Sequence, residues 1–385
     1  MMSSDLSSAL KFPDTGFDNV DASEKIEEET LPNYNPANYY PAHLGQVLVD
    51  RYQIVGKLGY GVTSTVWLGR DLLEARYVAL KISTASSKRN DEINIYKQLD
   101  SVASKIDHVG QTLYRKLYDS FEITAPHGTT HTCLVQQPLG LSLEQILDLR
   151  HSKLLTIDLL KPLLRQLLIG FRFSAYLQSK NLVLQIDDTR VFRIFEETEL
   201  KEPAPRKVLD DHAIYMTRRI PGTETLPIIT DFGEARLISK TRREEDIMPD
   251  VYRAPEAILW MKWNDKVDIW SIAVLLGDLV STRHLFQGRN PEGAVDESLP
   301  YVRHCHLLTD YLPNCHFHPG HWRNFAPILD ITLESLAIDI QGDEKEGFLN
   351  FLRKILRWLP EERPTAGELV YDEWVLKGLG EKEGT

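Results

Sequence analysis

Gly59-Tyr60-Gly61-Val62-Thr63-Ser64-Thr65-Val66, followed by Ala79-Leu80-Lys81, is the first stretch of the chain whose residue types could do chemistry. Glycines in a turn between two strands let backbone N–H groups approach a phosphate, and a lysine on the next strand supplies a positive charge beside it. A glycine turn alone is an ordinary hairpin; the Val-Ala-Leu-Lys at a set distance behind it makes the combination specific. Glu92 in "RNDEINIYKQL" comes eleven residues after Lys81 and opens a helical stretch. A carboxylate there could hold the lysine ammonium in place for phosphates, against the plainer reading of a solvated helix acid. "IITDFGEAR" then offers Asp231-Phe232-Gly233 after an apolar strand, and an aspartate at a strand end beside a glycine is a natural magnesium ligand.

The elements that must position these residues are legible in the hydrophobic period. "YQIVGKLGYG", "TSTVWLGRD" and "RYVALKIS" are rich in the β-branched and aromatic residues of strands and are joined by tight turns, which predicts an antiparallel sheet. From about residue 142 the pattern becomes helical: "SLEQILDLR", "TIDLLKPLLRQLLIGF", "DKVDIWSIAVLLGDLV" and "KEGFLNFLRKILRWL" place apolar residues at i, i+3 and i+4. The expected fold class is therefore α+β, with a small antiparallel sheet unit carrying one main helix ahead of a larger, mainly helical unit. Ala254-Pro255-Glu256, then Asp268-Ile269-Trp270-Ser271, then Arg363 in "EERPTA" read as scaffold, with Glu256 and Arg363 as buried partners and Asp268 bonding backbone of a nearby loop.

In this order the motifs resemble the eukaryotic protein kinase family. More narrowly, "YYPAHLGQVLVDRYQIVGKLGYGVTSTVWLGRD", "CLVQQPLG", "DFGEAR", "LFQG" and "FLRKILRWLPEERPTA" are similar to the serine/arginine-rich protein kinases, particularly their fungal branch. The resemblance covers about residues 34 to 378 and implies a two-lobed kinase fold, with an N-lobe over about 34–138 and a C-lobe over about 139–378. It implies ATP and Mg2+ as cofactors, and as partner a basic protein substrate rich in Arg/Ser, of the splicing-factor kind that serves mRNA processing. By the same resemblance, Leu58, Gly59, Tyr60, Gly61, Val62, Val66, Ala79, Lys81 and Leu139 would line the nucleotide site. Lys81, Glu92 and Asp231 would be catalytic, and Asn181 and Asp231 would hold the metal.

One piece is missing. The family carries a His-x-Asp-x4-Asn loop whose Asp serves as base. "SKNLVLQIDD" matches the end of that loop at Asn181, but counting back puts Tyr176 at the base position and Ser174 at the histidine position. The link ahead of it is shorter than the resemblance implies while both flanks match, which is the mark of a mispredicted exon boundary. Three readings stay open: an active serine/threonine kinase, an ATP-binding pseudokinase scaffold without phosphotransfer, and an interaction protein built on the fold.

Composition narrows the classes. Three cysteines, Cys133, Cys305 and Cys315, make no disulfide framework, and the first residues show no positively charged segment leading into an apolar run. The most apolar stretch, "DIWSIAVLLGDLV", is too short for a membrane span. A soluble, monomeric, cytoplasmic or nuclear protein is expected. The net charge of -12 argues against direct nucleic-acid binding and allows attraction for basic peptides. Residues 1–33 hold Asp5, Asp14, Asp18, Asp21, Glu24, Glu27, Glu28 and Glu29 against Lys11 and Lys25, and read as an acidic disordered tail; 379–385 reads as a short C-terminal tail. The long insertion at about 187–226 reads as a surface excursion. Thr241 is a candidate phosphorylation site that nothing requires. His304, Cys305, His306, Cys315, His316, His318 and His321 crowd together without a recognisable zinc spacing.

Overall fold

Strands Val47–Leu48 (β1), Tyr52–Gly61 (β2), Ser64–Asp71 (β3), Arg76–Ser83 (β4), Leu117–Thr124 (β5) and Thr130–Gln136 (β6) form one sheet in the order β1-β2-β3-β4-β6-β5, every pair antiparallel. The computed structural model describes residues 6–85, 90–103, 109–170, 179–220, 225–233, 235, 247–248, 250–281, 285, 317–318, 321–322 and 332–378. The chain divides into two compact units, residues 1–96, 115–141 and 183–228 in one and 97–114, 142–182 and 229–385 in the other. The insertion, expected inside the helical unit, thus belongs to the sheet unit.

The middle of the sheet is buried on both faces, so successive residues of β2 and β4 are buried, Gln53 and Lys57 included. One face carries Tyr52, Ile54, Trp67, Val78, Leu80, Ile82, Cys133 and Val135. The other carries Val55, Leu68 and Tyr77 packed with Phe192, Phe195 and Ile220. Those last three come from the insertion, so it is a structural layer and not the surface excursion expected. Its helix Arg190–Lys201 presents Phe192, Phe195, Glu196 and Glu199, spaced i, i+3, i+4 and i+7, as its buried stripe. Glu196 faces the wholly buried Arg70 at 3.6 Å, and Glu199 accepts from Arg218 at 2.8 Å. The sheet unit therefore holds this helix besides the first turns of the helix that carries Glu92, Asn90–Ala103, whose residues from Lys97 on belong to the other unit.

Gly56 makes the close approach possible. A Cβ there would lie 2.6 Å from Phe195 Cε1. Gly56→Ala is expected to cost about 1–3 kcal/mol as an overpacking change, and the double variant Gly56→Ala/Phe195→Leu is expected to recover part of it. Thermal denaturation checks this; an unchanged melting temperature in Gly56→Ala would show that the helix does not seat on β2.

The N-terminal segment departs from the disorder expected of it, because its carboxylates meet lysines that the sheet unit buries. Lys57, 1% exposed, places Nζ against Glu28 and 3.3 Å from Glu27. Lys207 donates to both oxygens of Glu29 at 2.9 and 3.0 Å. Glu27 accepts from Thr217 N and Oγ1. Further back, Gln53 pairs its amide with both backbone groups of Leu10, Phe12 is buried, and Val20 N and Arg206 N exchange bonds with Arg206 O and Asp18 O.

In the second unit the helices Leu143–Leu149, Ile157–Gly170, Lys266–Val280 and Gly342–Ile355 occupy the stretches their periodicity predicts. The Lys266–Val280 helix is buried over nearly its whole length, as its apolar sequence demands. Arg363 makes a bidentate pair with Glu256 at 2.7 and 2.8 Å, both side chains almost wholly buried. The pair expected from the sequence is thus formed, and its remaining donors reach the carbonyls of Arg357, Trp358 and Lys266, which offsets the cost of burying the charges. Among the described residues no helix is long and apolar enough to cross a membrane.

Candidate active site

The sheet register aligns the residues of the glycine turn with the lysine. Gly59 pairs with Val66 and Val66 with Lys81, so the three lie in one cross-strand row. Ala79 is two residues from Lys81 on the same strand and shares its face. At the tip, Gly61 pairs with Ser64, while Tyr60 and Val62 are exposed. Gly59 has nothing within 4 Å of where a Cβ would stand, and its backbone is not in the left-handed region. Neither crowding nor dihedral strain in the fold demands a glycine there. A ligand passing close to the backbone would demand one.

Lys81 sits mid-strand on β4, and Glu92 is in the first turns of the helix Asn90–Ala103. Lys81 Nζ donates to Oε1 and Oε2 of Glu92, each at 3.1 Å, and the two side chains are 12% and 4% exposed. The carboxylate grips the ammonium symmetrically in a place with little water, so the lysine is held before any ligand arrives. Leu58 is half-buried and packs against the insertion-side cluster. Leu139 is buried, and the next residue, Gly140, donates its N–H to Leu184 O at 2.9 Å.

In the second unit, Asn181 closes a single helical turn, Ser179–Asn181, and is 4% exposed. Its carbonyl accepts from Thr230 N at 2.8 Å and Thr230 Oγ1 at 3.1 Å. That doubly made bond brings Asn181 alongside the residue immediately before Asp231. Asp231 is exposed, with φ at 58°, a left-handed conformation that Asp and Asn adopt more readily than most residues. Phe232 behind it is 1% exposed and packs on Tyr114 at 5.7 Å between ring centres, and the Tyr114 hydroxyl donates to Gly170 O. Burial fixes the phenylalanine inside, while Asp231 before it is exposed. The sequence reading missed Tyr114; its sole signal was an aromatic residue in a polar connection.

Asp268 is buried at the start of its helix, and the loop it was expected to bond lies among residues 171–178. Those residues, with Ser174 and Tyr176, lie outside the described residues, as do Thr241, the tail 379–385 and most of the His/Cys stretch. Among the described residues no group of three metal-ligating side chains comes together.

The protein kinase domain family matches residues 223–375. A serine/threonine protein kinase of Aspergillus fumigatus is 39% identical over 94% of this chain and 94% of its own. The serine/threonine-protein kinase SRPK of Physarum polycephalum is 28% identical over 68% of this chain and 67% of its own, and SRSF protein kinase 3 of Homo sapiens is 32% identical over 46% and 32%. A protein kinase domain implies ATP, typically with Mg2+, and a protein as acceptor. With 39% identity along nearly its whole length to one such enzyme, the chain belongs to the eukaryotic protein kinase family, among the serine/threonine kinases related to the SR protein kinases.

Proposed function

We propose that the chain transfers the ATP γ-phosphate to serine or threonine hydroxyls of basic, Arg/Ser-rich proteins, in the cytoplasm or nucleus, with the kinase domain running from about 34 to 378. The observation that carries the reading is the grip of both Glu92 oxygens on Lys81 Nζ. A lysine held that way has its charge fixed toward phosphates at no reorganisation cost. Leu58, Val66, Ala79 and Leu139 would wall the base, and the backbone of residues 59–62 would lie along the phosphates. Asn181 and Asp231 would hold Mg2+, which when bound offsets the charge of the phosphate oxygens. The open space over Gly59 fits a phosphate lying along that turn.

The pseudokinase reading is favoured by one observation: Tyr176 stands at the base position. General-base help contributes about 10²- to 10⁴-fold, whereas positioning and phosphate electrostatics do not depend on it. Sequencing the transcript across codons 160–190 shows whether a His-x-Asp precedes "LQSKN". A parallel assay separates the readings for the chain as it stands. ATP-dependent thermal stabilisation with radiolabel transfer to an Arg/Ser peptide supports the kinase; stabilisation without transfer supports the scaffold; neither would exclude nucleotide chemistry altogether.

A further inference from the structure

The sheet unit contains a cavity of about 510 Å³ that none of the residues discussed so far as nucleotide or metal ligands enters. Its walls come from the N-terminal segment (Tyr34, Tyr39), from β3 (Trp67) and from the insertion (Asp211, His212, Tyr215). The three segments meet there because the acidic segment is latched by Lys57 and Lys207, and because Trp67 packs edge-on to Tyr215 at 5.6 Å. Tyr34 and Tyr39 form a second aromatic pair at 5.3 Å.

Two carboxylates, Glu28 and Asp211, line the cavity beside the imidazoles of His127 and His212, and no lysine or arginine does among the described residues. Glu28 is offset by Lys57 behind it, but the Asp211 side chain is 87% exposed. Burial, and after it the carboxylates of Glu28, Glu29 and Asp211, raise the Tyr34 phenol above its ordinary range, as expected where the local field is negative. His212 Nδ1 lies 2.6 Å from Asp211 Oδ1, and its Nε2 is buried with no hydrogen-bond partner. In the neutral tautomer that donates Nδ1–H to this carboxylate, Nε2 is an acceptor without a donor.

An occupant that suits these walls is cationic, rich in donors, free of acceptors, and flat enough to lie on a tyrosine ring. Guanidinium has all four properties, while ammonium is a compact, strongly hydrated charge that stacks poorly. We propose that this cavity docks an arginine side chain of a basic protein segment, away from the residues that handle phosphate. The inference rests on the reading of the chain as a kinase of basic proteins and adds to it a second place where such a substrate is held.

The test measures binding of a fluorescein-labelled Arg-Ser repeat peptide to the full chain by anisotropy, without ATP. Asp211→Asn and Tyr34→Leu are expected to weaken binding about 5- to 30-fold. Asp343→Asn, which removes an exposed carboxylate in the other unit, is expected to leave it within about twofold as a screened surface charge. A peptide with citrulline for arginine should not bind the wild type measurably. Equal affinity in wild type, Asp211→Asn and Tyr34→Leu would overturn the inference, as would equal binding of the citrulline peptide. Asp211 is on the surface, so its variant carries the test if Tyr34→Leu fails to fold. Phosphotransfer with KM unchanged in Asp211→Asn sinks the docking site and leaves the kinase standing; binding lost in the variants of a chain that transfers no phosphate does the reverse.

Discussion

Asp231→Asn is expected to lower phosphate transfer by about 10²- to 10³-fold, because a metal's stabilisation of transition-state charge amounts to several kcal/mol and each 1.36 kcal/mol is tenfold in rate. Asparagine is the informative replacement. Asp231 holds its backbone at φ 58°, and Asn tolerates that region as well as Asp does, so the peptide and the buried Phe232 next to it stay in place. The variant without ligand should therefore stay folded. What is lost is one negative charge on an exposed side chain. If Tyr176 holds the wild-type rate too low to compare, nucleotide-dependent stabilisation supplies the reading. At about a hundredfold excess over Kd, a ligand stabilises by about 2.7 kcal/mol. The increment that Mg2+ adds to ATP should appear in the wild type and vanish in Asp231→Asn. An Asp231→Asn protein with wild-type transfer and a wild-type Mg2+ increment would remove Asp231 from the metal site.

What the sequence disclosed and what it hid divide along a physical line. Lys81 and Glu92 were legible because the spacing from a mid-strand lysine to the first turns of the following helix is short, leaving the chain few ways to arrange them. Glu256 and Arg363 lie 107 residues apart yet were legible through the motifs that contain them. The seat of the insertion was written in its own spacing, since Phe192, Phe195 and Glu199 recur at helical intervals. A prior that long insertions are loops outweighed that stripe. The N-terminal segment was harder. Its composition satisfies the criterion for disorder, and that criterion assumes that charges face water. Lys57 and Lys207 violate the assumption, and a lysine inside a strand gives no local sign that its partner lies 29 or 178 residues away.

The same observation predicts the largest change in stability. A chain beginning after residue 33 would leave Lys57 and Lys207, 1% and 3% exposed in the intact protein, without Glu27, Glu28 and Glu29. Removing one partner of a buried ion pair costs about 3–5 kcal/mol where the remaining charge stays desolvated. Two lysines orphaned together, with Phe12 removed from its site and Gln53 from the Leu10 backbone, should cost on the order of 5 kcal/mol or more, a large part of the stability of an ordinary domain. Urea denaturation of the truncated and full chains measures the difference, and the cause can be isolated. Neutralising the orphaned charges in the truncated chain with Lys57→Met/Lys207→Met should recover stability, because the apolar replacements no longer need a partner. In the full chain the same pair of changes should destabilise, since three carboxylates then lie against apolar side chains. A truncated chain as stable as the full one would return residues 6–33 to the solvated tail that their composition suggests. Opposite signs for one double substitution in the two chains follow from buried ion pairs and from no reading in which the segment is free.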